Sequence, residues 1–333
     1  MSATPLRISG TGAYHPIARV SSQQMDAKIN KPSGWTEANF RIRERGVASP
    51  EETTSAMGAA AARQALDAAG VHPTDLDVII GACGVMEQPI PGTSVLIQQK
   101  LGLGSSGIPA FDVNATCLSF LAALDVVAMG FASRRWSRAL VVSSDIASAA
   151  LDFSDPGASV IFGDGAAAAV IERCDEVTGP SLLACRIETF GDGFELCELR
   201  AGGTRMRPHD DLEGFLAGSR FRMDGPGVYR AARKRAPRLI QKLLADAGVT
   251  LDEIQLVIPH QASAHGLSYL HDVLGFTEER IVDVFHMCGN QIAASMPTAL
   301  HEAVASKRLK RGDLALMIGT AAGISVGAAV IRY

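Results

Sequence analysis

The chain has 333 residues, 47% hydrophobic and 20% charged, which is enough apolar material for one large domain or two closely packed ones. Its formal charge of -4 mixes both signs, without the basic block that a nucleic-acid groove or an electrostatic membrane anchor needs. The stretch from Met1 to Arg7 lacks the apolar run of a signal peptide, later apolar stretches are too interrupted to cross a bilayer, and six scattered cysteines form no CxxC pair, so a cytoplasmic globular enzyme with reduced thiols is expected.

Taken in chain order, Thr54 to Ala69 has the spacing of an amphipathic helix, Gly70 stops it, and Leu76 to Ile80 reads as a buried strand. Phe111 to Phe120 runs from a strand-like segment into an apolar helix over roughly 118–129. Ala139 to Val142 and Ala168 to Ile171 are further strands. Gly191 to Asp224, rich in Gly, Arg, Pro and Asp, is an irregular excursion suited to bordering a substrate entrance. The pattern then repeats. A helix over 228–247, which Pro237 is placed to kink or divide, leads through Gly248 to the strand Ile254–Ile258, offset by 178 positions from its first-half counterpart. Ala315 to Ile318 and Ala328 to Ile331 echo the earlier closing strands. Uninterrupted apolar strands between helices, given twice, predict two similar α/β halves, 1–175 and 176–333, sharing a core.

Three residues stand out chemically. Cys117 opens a helix directly after a strand, where free N–H groups and the positive helix end favour a thiolate, although a buried small thiol would look the same locally. His260 follows the strand ending at Pro259, the kind of strand edge where open α/β sheets collect ligands. Asn290, after Gly289, can cap the helix beginning at Ile292, or its amide can join an imidazole as a second neutral donor to an oxygen that gains charge. His265 is a candidate for the entrance, and His286 a hydrogen-bonded structural histidine.

Trp35 with Ile42–Arg45, Glu52–Ser55, the segment ending Ala115-Thr116-Cys117, Ile161–Gly165, Pro259–Ala262 and Gly289-Asn290 together resemble the 3-oxoacyl-acyl-carrier-protein synthase III family of the thiolase superfamily, over essentially the whole chain. The resemblance implies a thiolase-like duplicated five-layered αβαβα fold and a homodimer. It also implies an acyltransferase of fatty acid or secondary metabolism that needs no cofactor or metal, with acyl-carrier-protein or coenzyme A thioesters as substrates. Cys117 would take the acyl group while backbone N–H groups of Cys117 and the 323–327 loop, with Gly323 and Gly327, hold the oxyanion. His260 and Asn290 would hold a malonyl thioester during loss of CO2, and the enolate would attack the acyl-cysteine. Trp35, Ile90 and Arg230 would meet substrate, Ile90 as the pocket floor and Arg230 as the carrier-protein dock.

Asn39, Pro156 and His265 stand where the family has arginines at the coenzyme A entrance, and Ile90 stands for its aromatic pocket stop, so a medium or long primer on carrier protein is expected instead of acetyl-coenzyme A; Cys288 stands where the family has His, which is expected to alter one surface near Asn290. The alternatives are a non-decarboxylative condensation of two acyl thioesters with Glu87 as base, and a non-catalytic carrier-protein-binding homologue. A papain-like Cys-His-Asn hydrolase is disfavoured by the whole-chain motifs.

Overall fold

The computed structural model describes residues 3–175 and 178–333. Nine strands form one hydrogen-bonded series: β1 (Thr4–Tyr14), β2 (Val78–Gly81), β3 (Ala110–Asp112), β4 (Arg138–Asp145), β5 (Gly165–Arg173), β6 (Ser181–Thr189), β7 (Leu256–Pro259), β8 (Leu314–Ala321) and β9 (Ser325–Arg332). Their spatial order is β7-β8-β9-β6-β1-β5-β4-β2-β3. The pairing repeats: β2 and β4 run parallel, then β4, β5 and β1 alternate in direction; β7 and β8 run parallel, then β8, β9 and β6 alternate. Thr4 and Pro5 of β1 join the two sets by pairing with Leu182 and Ser181. The boundary expected between 175 and 176 meets residues 176 and 177, which lie outside the described residues.

Four helices build the layers: α1 (Thr54–Ala69), α2 (Ser119–Ala132), α3 (Gly225–Ala247) and α4 (Ser295–Ala305). Because successive strand residues face opposite ways, Val78 and Ile80 join Phe120, Leu124 and Val127 of α2 and Met296 and Leu300 of α4, while Ile79 turns outward to Met57, Ala62 and Leu66 of α1. The second half does the same. Leu256 and Ile258 enter the shared middle layer, and Val257 packs outward on Leu239, Ile240 and Leu243 of α3. The result is a thiolase-like α/β fold with duplicated topology, in which sheets buried on both faces alternate with three helical layers.

Thr53 caps α1 by accepting from Ala56 N at 3.3 Å, and Gly70, at φ +64°, ends it in the left-handed conformation. Pro237 does not divide its helix, as α3 runs unbroken from Gly225 to Ala247. Pro237 and Arg233, whose carbonyl loses its helical donor, are both exposed, so water can take that bond. The excursion over 191–224 holds a 3₁₀ segment Gly191–Leu196, a helix Leu212–Gly218 and a two-residue ladder of Cys197–Glu198 with Arg222–Met223. Among the described residues no helix is long and apolar enough to cross a membrane.

Candidate active site

Cys117 lies on a single 3₁₀ turn, Thr116–Leu118, that runs directly into α2. Thr116 takes a left-handed φ of +50°, which turns the chain sharply out of the preceding segment. Side chains hold this turn. Asn114 Oδ1 accepts from Thr116 N at 2.8 Å, and Ser119 Oγ accepts from Ala115 N at 3.0 Å while lying 3.2 Å from Cys83 O and 2.6 Å from Thr116 O. The residue is partly exposed, but its sulfur is enclosed: burial pushes the thiol well above the ordinary range, Cys197 and Asp145 push it further, and only its own N–H pulls it down. Burial thus works against the thiolate that the helix start favours.

His260 is 6% exposed, directly beyond β7, with its backbone N–H donated to Ile318 O at 2.7 Å. Burial lowers its pKa to about 4, so the imidazole is neutral at physiological pH. Its Nδ1 lies 2.5 Å from Ser295 Oγ, and that hydroxyl also lies 3.0 Å from Ile292 O. Gly319 of β8 allows these parts to meet: a Cβ there would lie 2.7 Å from His260 Cβ and 3.2 Å from Leu118 Cδ2. Thus the neighbour of Cys117 and the base of His260 touch the same glycine.

Asn290 fills the first of the two roles left open by its sequence position, bonding the residue that opens the 292–294 turn. Its Oδ1 accepts from Ile292 N at 2.9 Å, which fixes the amide so that Nδ2 is the free-facing donor, held only by a long 3.4 Å contact to Ala262 O. Its backbone is clamped to the Ile161–Gly163 segment by bonds from Asn290 N to Ile161 O at 2.7 Å and from Gly163 N to Asn290 O at 3.1 Å. Gly289, at φ +66° and ψ -164°, supplies a glycine-favoured turn just before it.

Two supporting residues escaped the sequence reading. Ser295 is one. The other is Asp145 at the end of β4, fully buried, whose Oδ1 accepts from Gly84 N at 2.9 Å and Val85 N at 2.7 Å and whose Oδ2 accepts from Ala293 N at 3.0 Å and Ala294 N at 3.3 Å. A carboxylate closing a buried strand was the available signal.

Residues 111–191 match the family model described as 3-oxoacyl-[acyl-carrier-protein] synthase III, and residues 244–333 match the model of that family's C-terminal part. A β-ketoacyl-[acyl-carrier-protein] synthase III of Neisseria meningitidis is 34% identical over 328 residues, covering 98% of this chain and 99% of the relative. The chain belongs to the 3-oxoacyl-[acyl-carrier-protein] synthase III family. The Methylococcus capsulatus synthase III is 33% identical over 98% of both chains. Among solved structures, the Aquifex aeolicus synthase III superposes with a TM-score of 0.88 at 32% identity over 99% of this chain and 100% of that one. The priming β-ketosynthase of the R1128 polyketide biosynthetic pathway gives 0.89 at 30%, over 99% and 96%. The protein is accordingly an acyltransferase of the condensing class, with the acyl-carrier-protein-dependent chemistry of fatty acid biosynthesis.

Around this synthase III centre, Trp35 stands edge-on to Phe40, with ring centroids 5.5 Å apart, and Lys31 Nζ lies 5.1 Å from its ring. Asn39 turns its amide back to Trp35 O at 2.8 Å, Pro156 opens a one-turn helix, and His265 is exposed. Arg230 projects from the first turns of α3 with 72% of its side chain exposed. Ile90 is 85% exposed on the loop after β2, so it closes no pocket within its own chain. Gly323 lies in the β8–β9 turn at φ +135°. Gly327 is different from the loop donor expected of it, because it sits inside β9, paired with Gly319 on one side and Ile187 on the other, where the backbone serves the sheet. Cys288 is buried with its sulfur 3.9 Å from His15 Nδ1, so it presents no surface beside Asn290. His286 pairs with Asp283 at 3.5 Å.

Proposed function

We propose that this synthase III-like enzyme acylates Cys117 and then condenses the acyl group decarboxylatively with a malonyl thioester. The observation that carries this reading is that one short segment, 292–295, holds both a neutral His260 through Ser295 and, through Ile292 N, the oxygen of the Asn290 amide. Two neutral donors suit an oxygen that gains charge, since neither must first give up a positive charge as an enolate forms.

In the first half-reaction the Cys117 sulfur attacks the acyl thioester carbonyl, the carrier thiolate leaves, and the thiol proton is passed to it. Because the thiol rests protonated, the proton must depart as the S–C bond forms. The single hydroxyl proton of Ser295 can be directed to Ile292 O or to His260 Nδ1, which opens both tautomers of His260. With Nδ1 protonated, Nε2 can accept; with Nε2 protonated, it can donate. In the second half-reaction the malonyl carboxylate leaves as CO2, and the enolate oxygen is held by His260 Nε2 and Asn290 Nδ2. The enolate carbon attacks the acyl carbonyl, and the C–S bond to Cys117 breaks to give a 3-oxoacyl thioester. The two halves, 1–175 and 176–333, would contribute the nucleophile and the two donors respectively.

A homodimer is supported by the open edge at β3 with Phe111 exposed, and by Val85, Met86 and Ile90 exposed on the flanking loop. In such a dimer Ile90 would reach the partner's acyl pocket. The exposed Arg230 supports docking of acidic carrier protein, whereas no arginine occupies positions 39, 156 or 265 for a coenzyme A nucleotide. Medium or long primers on carrier protein follow from this. The non-decarboxylative alternative draws less support: Glu87 Oε2 accepts from Ser55 N at 2.6 Å and is tied to the start of α1.

The test is intact-protein mass measurement of the Cys117 acyl adduct with acetyl, octanoyl and dodecanoyl groups on both carriers, followed by malonyl carrier protein and measurement of CO2. An octanoyl or dodecanoyl adduct from carrier protein with stoichiometric CO2 is expected. A 3-oxo product without CO2 would overturn the decarboxylative reading, and acetyl-coenzyme A as the fastest donor would overturn the primer assignment.

A further inference from the structure

Asp145 is a buried carboxylate, held by four backbone amides and in no ion pair among the described residues, that the condensation chemistry does not use. Its four acceptor contacts divide evenly. One oxygen takes the Gly84 and Val85 amides of the segment behind the nucleophile turn, the other the Ala293 and Ala294 amides just before α4. Each pair is linked to a residue of the candidate site: Gly84 O lies 3.3 Å from Asn114 Nδ2, and Asn114 in turn holds Thr116 N, while Ile292 N holds Asn290 Oδ1 and Ser295 of α4 holds His260.

The two segments also meet directly. A Cβ on Gly84 would lie 2.4 Å from Ile292 Cγ2 and 3.5 Å from the Thr116 carbonyl carbon, so Gly84, Thr116 and Ile292 converge on one spot beneath the site. Thr116 and Ile292 both adopt left-handed backbones, at φ +50° and +51°, a conformation that costs a β-branched residue energy and persists only where surrounding bonds enforce it.

We propose that Asp145 is a positioning residue that sets the distance between the Cys117 acyl group and the His260–Asn290 donor pair by bridging the 84–85 and 293–294 amides. This rests on the condensation reading above. A carboxylate offers two oxygens with room for all four donors, whereas a neutral side chain of the same size offers at most one such oxygen. Burial pushes this group's pKa up to about 7 against the downward pull of its four N–H partners.

Removing the bridge should therefore harm the step that needs both segments more than the step that needs one. In Asp145→Asn the amide oxygen can keep one N–H pair while its NH2 faces the other pair without an acceptor. Condensation kcat at saturating malonyl carrier protein is expected to fall about 10- to 100-fold, with Cys117 acylation within about threefold of wild type, as a site loosened by up to about 1 Å would give. The acyl adduct is read by intact-protein mass and the single-turnover condensation of pre-acylated enzyme by product formation, with circular dichroism checking the fold. Ala294→Pro is the second variant: at a position whose φ of -70° suits proline it deletes the 3.3 Å donor to Asp145, together with the 3.0 Å bond from Ala294 N to Gln291 O, and leaves the carboxylate in place. Its loss should be smaller and again confined to condensation.

Folded Asp145→Asn that condenses pre-acylated Cys117 at the wild-type rate overturns the proposal, as does an equal fall in both half-reactions. If Asp145→Asn does not fold, a wild-type condensation rate in Ala294→Pro overturns it alone. Wild-type enzyme that acylates but never condenses would instead overturn the function on which the proposal rests.

Discussion

Gly319→Ala offers a direct measure of how tightly the second half of the site is held. The added methyl would lie 2.7 Å from His260 Cβ, with Leu118 Cδ2 and Met296 Cε both at 3.2 Å. Carbon atoms settle at about 3.5–4.0 Å, so relief requires a displacement of about 1 Å between β8 and His260. β8 is pinned between β7 and β9, and His260 is tied by its backbone to Ile318 and by its ring to Ser295. The strain should cost about 1–3 kcal/mol of stability, as overpacking of a filled interior does. Misplacing a catalytic group by that distance should slow condensation by roughly 10²-fold. Leu118 meets the methyl only through a terminal carbon that can rotate, so acylation of Cys117 should change by less than about threefold. Thermal unfolding gives the stability change, intact mass the acylation rate, and product formation from pre-acylated enzyme the condensation rate. A folded Gly319→Ala enzyme that condenses at the wild-type rate would refute the close approach of β8 to His260.

Cys117→Ala should leave no acyl adduct with any donor while keeping the native circular dichroism spectrum; an adduct formed at the wild-type rate would exclude Cys117 as nucleophile. His260→Ala and Asn290→Ala should each lower single-turnover condensation by roughly 10²-fold or more with residual self-acylation, because each removes a preorganised donor. The His260 pKa of about 4 lies below its unfolded value near 6.5, so the neutral ring's stabilisation, on the order of 3 kcal/mol, is fully present above pH 6.5 and lost as pH falls towards 4. Comparing the pH dependence of chemical unfolding with that of His260→Ala measures it, and equal slopes between pH 4 and 6.5 would contradict it. Since burial raises the Cys117 thiol pKa, alkylation by iodoacetamide should keep rising from pH 6 to 9, whereas a plateau below pH 8 would show a resting thiolate.

The sequence by itself determined the repeated elements and the chemical types at the site. The helix over 54–69, its glycine stop and the strand pairs 78–81 and 256–259 follow from apolar periodicity and turn chemistry, which act between residues close in the chain. Cys117, His260 and Asn290 were legible because each lies at the end of a strand or the start of a helix, and the family motifs surround them. Tertiary structure decided what those residues can do. Whether Cys117 rests as thiol or thiolate depends also on what encloses its sulfur, and that enclosure, absent from the local sequence, pushes the thiol pKa up. Gly327 looks like a loop glycine until β6 and β8 close on both sides of it, and Ile90 is exposed, so any pocket it lines lies outside its own chain. Asp145 showed only as a carboxylate ending a strand, and Ser295 had no local signature, since their partners lie 60 to 149 and 3 to 35 positions away. Periodicity reports which face of an element is buried; desolvation and hydrogen bonding depend on which distant atoms arrive there, and that is settled only when the chain closes.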